Sequence, residues 1–359
     1  MANKNRKDIV TEPSKNTIYD DSIFKVINPN RCDNLSCLNG EELQEIIYLL
    51  DEFYIQLRNR IGIDNYITFG MELELENARA ELIKDELRRI FPNGEWMTKH
   101  DGTLHNGIEI NSPILMDTLK DWQNLNKVCE ISEFLASVDT HSGGHIHIGT
   151  QALGSKKESW LNFLKMWSVY ENVIYRFAYG DFLTARPSMQ QYAKPRADNF
   201  WRCYKLYKSE NPTLEAIIIY LSSNRYQAVN FSNVVPESLD NCRKKNTIEF
   251  RCPNSSLNPA IWQNNVNLFV KMLCYCKSAS FNDDLVEKRH DKYLDKYAGL
   301  EYYDEIFLDQ AIELCDMIFT NNVDKIYFLK QYLKSFEVCE NRQDYPKAHI
   351  LTKKQINNN

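Results

Sequence analysis

Along this 359-residue chain, runs of alternating polar and apolar residues are interleaved with stretches whose apolar residues recur every three or four positions. Alternation puts one class of side chain on each face of a strand, whereas the longer period draws a stripe along a helix. Residues 66–76, 95–100, 107–111, 145–148, 224–231 and 247–252 therefore read as strands. Residues 41–57, 78–90, 117–137, 155–178, 206–221 and the run from Asn258 read as helices, and 302–319 and 323–336 as two more. Gly62 is expected to break the first helix, and Pro212 offers a fresh start inside 206–221. The Pro-containing stretch 185–195 reads as irregular.

No repeat or low-complexity linker divides this pattern, so the expected fold is one α+β catalytic unit. Its predicted parts are a flexible arm at 1–37 with a short strand near 23–27, a catalytic domain at 38–285, a helical extension at 286–349 and a polar tail at 350–359.

Three of the predicted strands carry charged or imidazole groups two residues apart: Phe69-Gly-Met-Glu-Leu-Glu74, Gly143-Gly-His-Ile-His-Ile-Gly149 and Ile248-Glu-Phe-Arg251. In the first, Glu72 and Glu74, continued by Glu76, share a face opposite Met71, Leu73 and Leu75. Same-face neighbours on a strand lie roughly 6–7 Å apart, close enough to embrace a divalent ion or two adjacent ions. A half-exposed strand with an ordinary solvated face shows the same alternation, and this word alone does not choose.

His145 and His147 repeat the geometry, flanked by glycines that let a ligand approach, and imidazole can bind a metal or donate to phosphate. Backbone and carboxylate partners would satisfy the two rings equally. Glu249 and Arg251 suit a metal and the phosphate it neutralises, or else a simple ion pair. Glu109, between Ile108 and Ile110, is the candidate further carboxylate. Asp101 either orients a substrate or contacts a metal through water, or is an ordinary Asp-Gly turn residue. Arg225 could clamp a phosphate or carboxylate, Asn230 could shape a polar pocket, and Arg186 and Lys194 belong to a substrate loop or to the surface.

A formal charge of −6 argues against a general nucleic-acid-coating role, and a hydrophobic content of 43% argues for a globular fold. No apolar run reaches membrane-span length, and the first residues are polar, so a cytoplasmic enzyme is the simplest expectation. Ten cysteines occur without a Cys-x-x-Cys pair, which favours buried free thiols, with Cys32 and Cys37 as a minor metal alternative. Phosphate loops, dinucleotide fingerprints and serine elbows are absent from the sequence.

Taken in order, Thr68–Glu74, the 101–113 region, Gly144–Gly149, and Ile248–Arg251 leading to Leu257-Asn-Pro259 resemble the amidoligase family. That family looks like a branch of the glutamine synthetase and glutamate-cysteine ligase superfamily, and the likeness spans roughly residues 66–280. It implies a curved antiparallel sheet, backed and flanked by helices, whose concave face holds ATP and Mg²⁺, or Mn²⁺ in its place. By motif position, Glu72, Glu74, Glu109, His145 and Glu249 match metal ligands, and His147, Arg225 and Arg251 match groups near the nucleotide phosphates. Glu72, Arg225, Glu249 and Arg251 are the implied catalytic set.

The implied reaction is ATP-dependent ligation of a carboxylate to an amine through an acyl phosphate, releasing ADP and phosphate. Either substrate could be an amino acid, peptide, polyamine or protein side chain, and oligomerisation is left open. The alternatives are an ATP-dependent kinase and an inactive nucleotide-binding or protein-interaction module. Neither a membrane nor a nucleic acid is an expected partner.

Overall fold

In a computed structural model, the described residues are 34–51, 53–104, 106–234, 245–284, 286–289, 301–304 and 306–334. The predicted strand near 23–27, nearly all of the arm, the polar tail, Cys32, Cys242 and Cys339 lie outside them. Among the described residues, six strands, β1 (Phe69–Leu75), β2 (Met97–Lys99), β3 (Ile108–Asn111), β4 (Gly144–Gly149), β5 (Val229–Asn230) and β6 (Thr247–Phe250), form one curved, unclosed sheet. Their order is β2-β3-β1-β4-β6-β5, with every pairing antiparallel. The α+β expectation therefore holds.

The sheet sorts its side chains as the alternation demands. Met71, Leu73, Ile110, Ile146, Ile148, Ile248 and Phe250 are all at most 1% exposed and form the apolar face. Helices Lys157–Ala178 and Pro259–Cys276 cover it. The first of these is buried at every residue from Phe163 to Ala178, as expected for a helix wrapped by other helices. Phe250 is stacked on Phe269 at 4.1 Å and lies 5.9 Å from Trp167, so both helices grip the strand that carries Glu249 and leads into Arg251. Asn258 caps the second helix by accepting from the Ala260 N–H, with Pro259 in its first turn.

Several boundaries differ from the sequence expectation for identifiable reasons. The first helix spans Gly40–Asp51 and ends well before Gly62. Beyond it, Gln263 accepts from the Arg58 N–H and donates to the Arg58 carbonyl, and Asp117 accepts from the N–H groups of Ile61 and Ile63. Those side chains satisfy the backbone in place of a helical ladder.

The 206–221 segment does restart at Pro212, but its first part begins earlier than expected, giving Ala197–Glu210 and Leu214–Leu221. Asn211 takes a left-handed φ of 45° at the break, Pro212 follows, and Thr213 caps the second helix. Expected strand 224–231 shrinks to Val229–Asn230, because Tyr226 and Ala228 bond instead to Lys194. Likewise 302–319 divides into Glu301–Asp304 and Leu308–Ile318, with the Phe307 N–H donating to the Tyr332 hydroxyl at the join. Helix Asn322–Leu333 packs onto Pro259–Cys276 through bonds from the Asn264 side chain to the Tyr327 carbonyl and the Gln331 side chain.

Candidate active site

The opposite face of the sheet gathers the polar words. Register pairs Glu72 with Asn111 on one side and His145 on the other, Glu74 with Glu109, His147 with Glu249, and Glu249 with Asn230. Central placement of β1, between β3 and β4, is what joins words far apart in the chain.

Glu72 is the hub. One of its oxygens lies 2.8 Å from His145 Nδ1 and the other 3.0 Å from His147 Nε2. Burial opposes its ionisation, but hydrogen bonds and charge from the two imidazoles outweigh it and hold the carboxyl far below its ordinary range. His145 also reaches Glu74 at 3.4 Å and Glu249 at 3.7 Å, and His147 Nδ1 is 3.2 Å from the Thr247 hydroxyl.

Glu249 is 4% exposed, and each of its oxygens has a partner. Arg251 Nη1 donates to Oε1 at 2.5 Å, and Asn230 Nδ2 donates to Oε2 at 2.7 Å. Burial would raise its pKa, yet His147, His145 and Arg251 together lower it. Arg251 is itself aimed by an Nε–H donated to the Tyr192 carbonyl. Glu74 accepts from the Gly143 N–H, and Glu109 accepts from Lys99 Nζ and Asn111 Nδ2.

The structure thus brings Glu72, Glu74, His145, His147, Glu249 and Arg251 into one network and sets Glu109 one strand away, against Glu74. It does not bring Arg225 into contact with them. Arg225 is exposed, its guanidinium 4.8 Å from the centre of the Tyr226 ring, and that ring meets Tyr192 edge-on. Glu249 is still among the charges favouring its protonated form, after the adjacent Tyr226. Asp101 accepts from Thr103 in a local turn, Lys194 is exposed, Arg186 is buried, and Glu76 is buried beyond the end of β1.

Sequence reasoning missed Thr247, Asn111, Lys99, Tyr192 and Lys245. Thr247 and Asn111 lie two residues from Glu249 and Glu109, so the same alternation contained them. Lys99 needed the strand register, Tyr192 contributes only a carbonyl, and Lys245, 3.4 Å from Glu72, comes from outside a strand.

Donor atoms of Glu72, His147 and Glu249 all lie within 4.8 Å of one another. One partly buried and one buried carboxylate, with one imidazole, suit a divalent ion that accepts oxygen and nitrogen, such as Mg²⁺ or Mn²⁺. The resemblance had matched His145 to the metal and His147 to phosphate; the imidazole in this group is that of His147.

A protein family described as "Putative amidoligase enzyme" matches residues 92–273, just over half of the chain. The chain belongs to the amidoligase family. Membership marks it as a ligase-type enzyme. The matched segment contains Glu109, His145, His147, Glu249 and Arg251, while Glu72 and Glu74 precede it and reach the site through the central position of β1. No curated protein matches the chain. Among the described residues, no helix is long and apolar enough to cross a membrane.

Proposed function

We propose that this amidoligase joins a carboxylate to an amine at the expense of ATP. The carrying observation is the convergence of Glu72, His147 and Glu249, with Arg251 bonded to the last of them, on one face of the sheet. Carboxylates gathered beside a guanidinium suit phosphoryl transfer, in which charge migrates among phosphate oxygens and needs fixed counter-charges.

In this reading Glu72, His147 and Glu249 hold a divalent ion, with Glu74, Glu109 and His145 completing its surroundings. When bound, that ion supplies positive charge for phosphate oxygens. A substrate carboxylate oxygen bonds to the γ-phosphorus as the bond to the ADP oxygen breaks, giving an acyl phosphate. The amine nitrogen then attacks the acyl carbon, the carbon–oxygen bond to phosphate breaks, and the amine proton leaves with the phosphate. Arg251, fixed by Tyr192 and Glu249, steadies the phosphate oxygens, and exposed Arg225 meets them or the substrate carboxylate at the rim. Asn230 keeps Glu249 oriented.

The test measures ADP, phosphate and amide together, with mixed carboxylate and amine substrates, beside Glu72→Gln and Arg251→Ala. Ligation requires amine-dependent amide formation that both substitutions abolish or cut severely. A stable phosphorylated product with no need for amine would replace ligation by kinase chemistry. Tight Mg²⁺-ATP binding without turnover would make the site a nucleotide sensor.

A further inference from the structure

Arg186 stands beside Glu74 at the edge of the polar face, in the irregular stretch between helices Lys157–Ala178 and Met189–Tyr192. Its residue is only 2% exposed. Nη1 donates to the Pro253 carbonyl, and Nη2 donates to the Arg251 carbonyl at 2.7 Å. Against its other side lies Gly143. A Cβ at Gly143 would stand 3.0 Å from Arg186 Nη1 and 2.7 Å from Glu74 Oε2, the same oxygen that accepts from the Gly143 N–H. One step upstream, the Ala185 N–H donates to Asp304 Oδ1 at 3.0 Å, which ties this stretch to the short helix Glu301–Asp304.

A buried guanidinium is expensive, and an apolar side chain of similar size would fill the space at lower cost. What only the planar fork supplies is two fixed donors spaced to hold two carbonyls at once. Those carbonyls belong to Arg251 and to the residue two places after it, and the glycine packed against the fork holds Glu74. Burial lowers the basicity of Arg186, and the Glu74 carboxylate opposes that effect.

We propose that Arg186 is a positioning residue, bracing the chain after β6 and the Gly143 turn so that Arg251 and Glu74 are aimed at the reacting groups. Its catalytic consequence rests on the ligase reading; its structural consequence does not. Residues that support ligands in this way typically change activity or affinity by about 10- to 100-fold when replaced.

Three variants of the full chain test this: Arg186→Met, Arg186→Lys and Gly143→Ala, the last inserting a methyl between Glu74 and the fork. Amide hydrogen exchange at Gly143–His145, melting temperature, and kcat and KM for amine-dependent ADP formation are read together. Arg186→Met should lower kcat by about 10- to 100-fold with little change in the KM for ATP. It should also raise exchange at Gly143 by about tenfold. Gly143→Ala should reproduce both changes, and Arg186→Lys, keeping charge without the fork, should fall between wild type and Arg186→Met. A lowered melting temperature with unchanged kcat in the folded protein would reduce Arg186 to packing and overturn the proposal. If the wild-type chain forms no ADP with any amine, ligation fails, and the exchange comparison alone decides the role of Arg186: unchanged exchange in both Arg186→Met and Gly143→Ala overturns it.

Discussion

Asn230 donates its side-chain N–H to Glu249 Oε2 at 2.7 Å across the β5–β6 pair, so the outermost strand orients a carboxylate at the heart of the site. Both residues are nearly fully buried, and the Asn230 oxygen is fixed in turn by the Ser232 N–H at 2.9 Å. Asn230→Ala leaves a buried carboxylate oxygen without its donor. The expected cost is about 1–3 kcal/mol of folding stability, read by chemical denaturation. Turnover should fall by about 10- to 100-fold, because Glu249 then keeps hydrogen bonding at Oε1 alone, from Arg251.

Glu72 accepts from both histidines, so its charge organises the site as well as offering a ligand. Glu72→Gln conserves shape but turns one oxygen into an amide donor, which cannot accept from an imidazole N–H. Divalent-ion affinity, measured with Mn²⁺ by electron paramagnetic resonance, should fall by at least about a hundredfold, the upper end of what supporting residues cost. Affinity equal to wild type would remove Glu72 from the metal group.

Much of the sheet was legible because strand periodicity is exact. Glu72, His145, His147, Glu249 and Arg251 could be assigned to faces by counting in twos, and the faces are as counted. Strand order was not legible, and it explains why Lys99 meets Glu109 although neither word announces the other. Arg225 failed to join the network for a related reason: a strand over 224–231 would have aimed it by alternation, but its segment is tied to Lys194 by a bridge and only Val229–Asn230 pairs with β6. Helix Ala197–Glu210 was legible in principle, since Phe200, Cys203, Tyr204 and Tyr207 follow the helical period and are buried.

Away from the site, Asp283 pins two helices together. It accepts from Lys165 at 2.7 Å, from Lys208 at 2.5 Å and from the Tyr204 hydroxyl at 2.7 Å. Burial opposes ionisation, but these three partners outweigh it and depress the Asp283 pKa. A depressed carboxylate stabilises the fold fully above its unfolded pKa of about 3.9 and loses that contribution as pH falls toward and through the folded value. Asp283→Asn should therefore lower the melting temperature near neutrality, and the difference from wild type should shrink steadily below about pH 4. A pH-independent difference would mean that Asp283 acts by packing alone.

Gly143 and Gly144 are adjacent in sequence but serve opposite faces of the sheet. Gly143 leaves room for Glu74 and Arg186, whereas a Cβ on Gly144 would stand 2.5 Å from Trp262 Cη2 and 3.1 Å from the Asn254 carbonyl. Trp262 is 1% exposed and its indole N–H donates to the Ser256 carbonyl, so the ring cannot swing aside without losing that bond. Gly144→Ala is thus an overpacking substitution in the helix-facing layer, expected to cost about 1–3 kcal/mol of folding stability. Gly143→Ala should instead cost activity more than stability, since the groups it displaces belong to the polar face. Paired denaturation and turnover measurements check the contrast, and equal losses of stability in the two variants would contradict the assignment of one glycine to each face.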